Sequence, residues 1–122
     1  MSPWKFLLSS ALSATFAVQP ALAAGQSGSV IEVVTFKLKA GVAASEFAPI
    51  DKAVEREHVA QQPGFVSRES AHGAGGEWLV IVHWRSAKDA DASMATFEKA
   101  PAAAAFMSKI EASTMSMKRY ER

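Results

Sequence analysis

The run Glu77-Trp78-Leu79-Val80-Ile81-Val82-His83-Trp84 constrains the fold more than any other part of the chain. Beyond its first residue it is apolar or aromatic except for one histidine. It is entered through Gly73-Ala74-Gly75-Gly76 and left through Arg85-Ser86. A short apolar run between glycines and a helix-start signal reads as a central β-strand. Strand side chains alternate, so Trp78, Val80, Val82 and Trp84 face one way and Leu79, Ile81 and His83 the other. With both faces apolar, the sheet has to be covered on both sides.

The first two dozen residues are a different kind of segment. Lys5, an apolar and small-residue run from Phe6 to Val18, Pro20 and Ala21-Leu22-Ala23 fit a secretory signal peptide over residues 1–24. The apolar run is short for a bilayer span, and an uncleaved N-terminal anchor is the alternative. Cleavage would release one small domain, residues 25–122, to the periplasm or the medium with no membrane attachment. Loss of Lys5 brings the 13 basic residues level with the 12 acidic ones. No basic stripe then remains to neutralise phosphates, which argues against nucleic acid as a partner. The sequence has no cysteine, so disulfides, thiol chemistry and thiolate metal sites are excluded. It has no asparagine either.

The remaining elements follow from period and punctuation. Val30 to Leu38 is a β-branched first strand ended by Lys39-Ala40-Gly41, and Glu32 on its apolar face needs a partner if buried. From about Ser45 to Gln62 a helical period sets Phe47, Ile50, Val54, His58 and Gln61 on one side. Pro49 is confined to the first turn of that helix, and Pro63-Gly64 stops it. Phe65 to His72 is a more polar strand, nearer an edge, joined to the central strand by a glycine-rich hairpin. A phosphate cradle would lead from a strand into a helix, whereas these glycines lead into another strand. Ser86 with Asp89 starts a helix whose buried stripe is Ala90, Met94 and Phe97. Pro101 opens a second helical piece with Ala103, Phe106, Met107 and Ile110 on one side. Thr114 to Tyr120 alternates as a last strand, with Met115, Met117 and Arg119 sharing a side.

The order β-α-β-β-α-β predicts a ferredoxin-like α+β domain with a four-stranded antiparallel sheet. Right-handed crossovers put both helical connections on one face. The opposite face is left bare and apolar, which predicts a homodimer formed through the sheet face.

The strand end Phe36-Lys37-Leu38-Lys39-Ala40-Gly41, the stop Gln62-Pro63-Gly64-Phe65, Arg68 on the next strand, and Val82-His83-Trp84-Arg85-Ser86 before an alanine-rich helix carry a resemblance. Over nearly all of residues 25–122 the chain resembles the antibiotic biosynthesis monooxygenase-like proteins of the dimeric α+β barrel superfamily. The resemblance implies a pocket between helices and sheet, no cofactor, and monooxygenase chemistry on a small aromatic or quinol-like molecule. The haem-degrading branch of that superfamily uses an asparagine on the first strand with a tryptophan and a histidine on the second helical region. The matching position here looks like Val34, and the helical positions look like Phe97 and Phe106 or Met107, which argues against haem degradation.

His58, His83 and Arg68 are the candidate catalytic residues, and Trp84, Trp78, Phe97 and Phe106 the candidate substrate-binding ones. A histidine on a core-facing stripe is either a satisfied structural ring or a base that could take a phenolic proton. Arg68 is either a clamp for a phenolate or carboxylate oxygen or the partner of Glu32 or Glu69 across the sheet. Trp78 and Trp84 serve as core or as stacking surfaces for a flat ligand. The spacing of His58, His72 and His83 matches no local metal motif, and no metal is expected. The alternative to an oxygenase is a non-catalytic dimeric module that binds a hydrophobic small molecule or another exported protein.

Overall fold

In the computed structural model, which describes residues 29–122, the alternation along the central strand is realised. Trp78, Val80, Val82 and Trp84 are buried, while Leu79, Ile81 and His83 are half-buried on the opposite face. The signal peptide expected over residues 1–24 lies outside the described residues.

The main elements are β1 (Val30–Leu38), α1 (Ala44–Glu57), β2 (Phe65–His72), β3 (Glu77–Trp84), α2 (Ala87–Phe97), α3 (Pro101–Ser108) and β4 (Ile110–Glu121). All neighbouring strands run antiparallel in the order β2-β3-β1-β4, the ferredoxin-like arrangement. The helices lie over the face that carries Val30, Phe36, Trp78 and Trp84, where most of the buried apolar side chains meet. Phe47 of α1 anchors that layer, with its ring 4.9 Å from Trp78 and 5.9 Å from Phe36 in edge-to-face contacts. The other face presents Ile31, Val33, Leu79 and Ile81, and among the described residues no helix covers it.

Two boundaries and the burial of three side chains differ from the sequence expectation. Helix α1 ends at Glu57, and a tighter turn over Val59–Gln61 replaces its predicted last turn. His58, at φ −131° and ψ −66°, leaves the helical region and ends the α-helix there, and a 3₁₀ turn is a common form for the remaining turn. Strand β4 begins at Ile110, well before Thr114, so Ile110 is a buried strand residue and not part of a helical stripe. Alternation could not reveal that start, because the stretch between Glu111 and Ser116 bulges out opposite Phe36 alone. Thr114 stitches the bulge: its Oγ1 accepts from the Lys37 N–H at 2.8 Å and donates to the Glu111 carbonyl at 2.6 Å. Finally Gln61, Met94 and Met107 are exposed where the helical pattern placed them inside. Met94 and Met107 stand at the rim of a cavity, which is why their stripe stays apolar without being covered.

Candidate active site

The sheet and helices do not close on each other completely. Between them lies a cavity of about 430 Å³. Val34, Val80 and Val82 form its floor on β1 and β3, while Ser93 and Phe97 of α2 and Phe106 of α3 form its roof. Four methionines, Met94, Met107, Met115 and Met117, line it as well, each between 36% and 44% exposed. They are all the methionines of the chain beyond Met1. Flexible, polarisable thioethers make such a rim adaptable to ligand shape.

Three charged residues line this otherwise apolar cavity: Glu98 is exposed at its mouth, while Arg68 and Glu32 are set in the wall. Arg68, its side chain 3% exposed, donates from both terminal nitrogens to Asp51 on α1 at 2.8 and 3.2 Å. Ser70 donates a further bond to the same carboxylate at 2.6 Å. The predicted pairing of Arg68 with Glu32 or Glu69 is therefore replaced by a pairing with helix α1. Glu32 is buried and accepts from Trp84 Nε1 at 3.3 Å and from Arg119 Nε at 3.0 Å. Arg119 in turn donates to Asp91 on α2, joining β4 to the roof. The hydrogen bond to Asp91, against some loss from burial and with help from Glu32, pushes the Arg119 guanidinium above its ordinary value. A raised arginine contributes its stabilisation at every pH below that of free arginine and loses it only in strong alkali. This link therefore stays charged on the Arg119 side across the neutral range.

The other candidate residues are dispersed. Trp84, Phe97 and Phe106 line the cavity together with Arg68, and the two phenyl rings meet edge to face at 5.9 Å. His58 is buried behind them. Its Nε2–H donates to the Ser93 carbonyl at 3.2 Å, Gln62 donates to Nδ1 at 3.4 Å, and its ring edge meets Phe97 at 5.8 Å. These contacts occupy both ring nitrogens. His83 lies on the bare face of the sheet, opposite Ile31, and does not reach the cavity. Trp78 sits at the far end of the core, sandwiched between Phe47 and His72, with the His72 ring stacked at 5.9 Å. Among the described residues no group of three histidine, aspartate or glutamate side chains is placed to hold a metal ion.

No family model matches this sequence, and no curated protein sequence does. Solved structures do match. SnoaB, a cofactor-independent oxygenase from Streptomyces nogalater, is 21% identical, with a TM-score of 0.63 over 76% of this chain and 91% of that one. A candidate antibiotic biosynthesis monooxygenase from Chloroflexus aurantiacus J-10-fl is 14% identical, with a TM-score of 0.57 over 77% of this chain and 92% of that one. The chain has the antibiotic biosynthesis monooxygenase-like fold. A conserved protein from Methanosarcina mazei Go1 superposes with a TM-score of 0.65 over 82% of this chain and 98% of its own, at 10% identity. Likeness at such identities carries the ABM-like fold and leaves activity to the site itself.

Two members of the charged network escaped the sequence reading although a signal existed. Asp51 follows Phe47 by four residues and precedes Val54 by three, so it is an acid on the apolar stripe of α1. Such an acid is buried only with a partner. Arg119 continues the side of Met115 and Met117 on the last strand, a cation at the end of an otherwise apolar row.

Proposed function

We propose that this protein is an exported, cofactor-independent oxygenase of the ABM-like fold, acting on a small electron-rich aromatic or quinol-like molecule. The observation that supports this best is the apolar, aromatic-lined cavity of about 430 Å³ with the buried cation Arg68 in its wall. A phenol whose oxygen lies beside a fixed guanidinium in a dry site loses its proton more readily. Its electron-rich ring can then reduce dioxygen with no metal or flavin. For a hydroquinone the balance is complete: the ring gives four electrons, gains one oxygen to become a hydroxyquinone, and the second oxygen leaves as water. Trp84, Phe97 and Phe106 would flank the ring, and Arg68 would hold the phenolate oxygen. Since neither His58 nor His83 lines the cavity, proton removal rests on the increased acidity of the bound phenol beside Arg68.

Oxygen uptake with a panel of hydroquinones and anthrones tests this. Turnover by the wild type should fall about tenfold or more in Arg68→Met, compared at a temperature where both are folded. No uptake with any member of the panel removes the oxygenase.

One observation favours a second reading, a non-catalytic binding module. Arg68, Glu32 and His58 all have partners within the protein, so no group stands idle as a base. Saturable binding without oxygen uptake would select it. Under either reading, the bare face bearing Ile31, Val33, Leu79 and Ile81 supports pairing of two copies sheet to sheet.

A further inference from the structure

Arg68, Val82, Glu32 and Arg119 stand in one row across all four strands. Arg68 and Glu32 are each the cross-strand partner of Val82, and Arg119 is the partner of Glu32. Residues of one such row project to the same face, here the face that lines the cavity. Arg68 and Glu32 are thus separated by two interstrand spacings, about 10 Å between their backbones. Opposite charges that near on one apolar surface would ordinarily be paired with each other. These are held apart. Asp51 draws the cation toward α1, Arg119 and Trp84 hold the carboxylate toward β4, and Val82 occupies the floor between.

Neither group is exhausted by its partners. An ionised carboxylate has about four lone-pair sites, and Glu32 accepts two bonds in all. A guanidinium has five N–H donors, and Arg68 gives two to Asp51. The carboxylate can only accept and the guanidinium can only donate. A ligand lying across Val82 therefore meets an acceptor at one end and a donor at the other.

We propose that the cavity selects a single aromatic ring with a hydrogen-bond donor at one end and an anionic or carbonyl oxygen at the opposite end. A hydroxyl or amine would point to Glu32, and a carboxylate, phenolate or ketone oxygen to Arg68. The two heads are drawn outward from backbones about 10 Å apart, a span of the order of one ring with its para substituents and a hydrogen bond of about 2.8 Å at each end. The proposal rests on the cavity assigned in the proposed function and not on its oxygen chemistry. It narrows the aromatic class to para-substituted rings of mixed polarity.

The probes are 4-hydroxybenzoate, 3-hydroxybenzoate, 4-methoxybenzoate and hydroquinone, titrated calorimetrically into the full chain. The para-hydroxy acid should bind at least about tenfold more tightly than its methyl ether, because an ether oxygen facing a buried carboxylate leaves it without a donor. The meta isomer should lie between them. In Glu32→Gln the preference for hydroxyl over methyl ether should shrink or reverse, since the amide can donate to the ether. Equal binding of hydroxyl and methyl ether by the wild type, or binding of none of the acids, overturns the proposal even if no variant folds. Para-selective binding without oxygen uptake would keep the clamp and remove the oxygenase. Oxygen uptake indifferent to the para substituent would do the reverse.

Discussion

Asp51 on α1 grips both terminal nitrogens of Arg68 on β2, with side chains 6% and 3% exposed, so a buried ion pair ties helix to sheet beside the cavity. Its geometry is two-pronged, and Ser70 satisfies the carboxylate further. Removing the acid alone would strand a buried cation, a loss of about 3–5 kcal/mol. Glu55, 3.6 Å from the same guanidinium, offers a partial substitute, so the lower end is expected. For a domain of this size about 3 kcal/mol lowers the melting temperature by roughly 10–20 °C. Thermal unfolding of Asp51→Ala should show that drop, and the double change Asp51→Leu with Arg68→Met should recover much of it by removing both charges. A single variant that melts with the wild type would show the pair to be structurally idle.

Gly64 predicts a contrast with a second glycine. Its φ is +84°, and a Cβ there would lie 2.2 Å from Asp89 Oδ2 and 2.6 Å from Asp89 Cβ. Asp89 cannot swing away freely, because Ser86 caps α2 through the Asp89 N–H at 3.1 Å and donates to its carboxylate at 3.0 Å. Gly41 has a similar φ of +87° but open space around it. Gly41→Ala should therefore lose about 1 kcal/mol for the left-handed backbone alone. Gly64→Ala should lose roughly 2–3 kcal/mol, because the clash adds to that backbone cost. Urea unfolding of the two variants checks the order, and equal midpoints would contradict the crowding at Gly64.

What was legible in the sequence was whatever repeats with a period. Alternation in Val30–Leu38 and Glu77–Trp84, and the glycine and proline stops between elements, carry the four-stranded topology because each depends on local steric rules. The ion-pair partners were not legible, since Asp51 and Arg68 come together only when α1 settles on β2. An acid on an apolar stripe announces that a partner exists without saying which. The start of β4 was hidden for a related reason: the bulge opposite Phe36 interrupts the period that would have revealed it. His58 and His83 looked equivalent as candidates by residue type, and their separation to the core behind the cavity and to the bare face depends on which face the helices choose.

The methionine rim predicts sensitivity to peroxide. Met94, Met107, Met115 and Met117 are 44%, 36%, 37% and 41% exposed around one apolar opening. Each thioether can take one oxygen from hydrogen peroxide, releasing water and leaving a polar sulfoxide. Mild peroxide should add oxygen at these residues and weaken binding of aromatic ligands by about tenfold, through lost apolar contact. Replacing all four by leucine should leave binding nearly intact and make it resistant to peroxide, since the volume is conserved. Intact-mass measurement alongside calorimetric titration distinguishes this from damage elsewhere, and ligand binding unchanged in the oxidised protein would show that the rim does not touch the ligand.

The bare sheet face gives the last prediction. Val33 pairs with Ile81 and Ile31 with His83 across β1 and β3, so the apolar side chains cluster at the centre of the sheet and not at an edge. An uncovered apolar centre is what two copies would bury by stacking face to face at about 10 Å. Ile81 is only half-buried in the single chain, so a glutamate there can remain solvated in a monomer. Brought to the middle of a stacked pair, it would meet either its own copy or an apolar partner, and both are costly. Sedimentation at micromolar concentration should therefore find the wild-type domain as a dimer and Ile81→Glu as a folded monomer with unchanged far-ultraviolet circular dichroism. Asp51→Ala, which acts on the helix side, should weaken folding without moving that monomer–dimer balance. A wild type that sediments only as a monomer would remove the stacked dimer and leave the cavity, which lies on the other face, to be tested by itself.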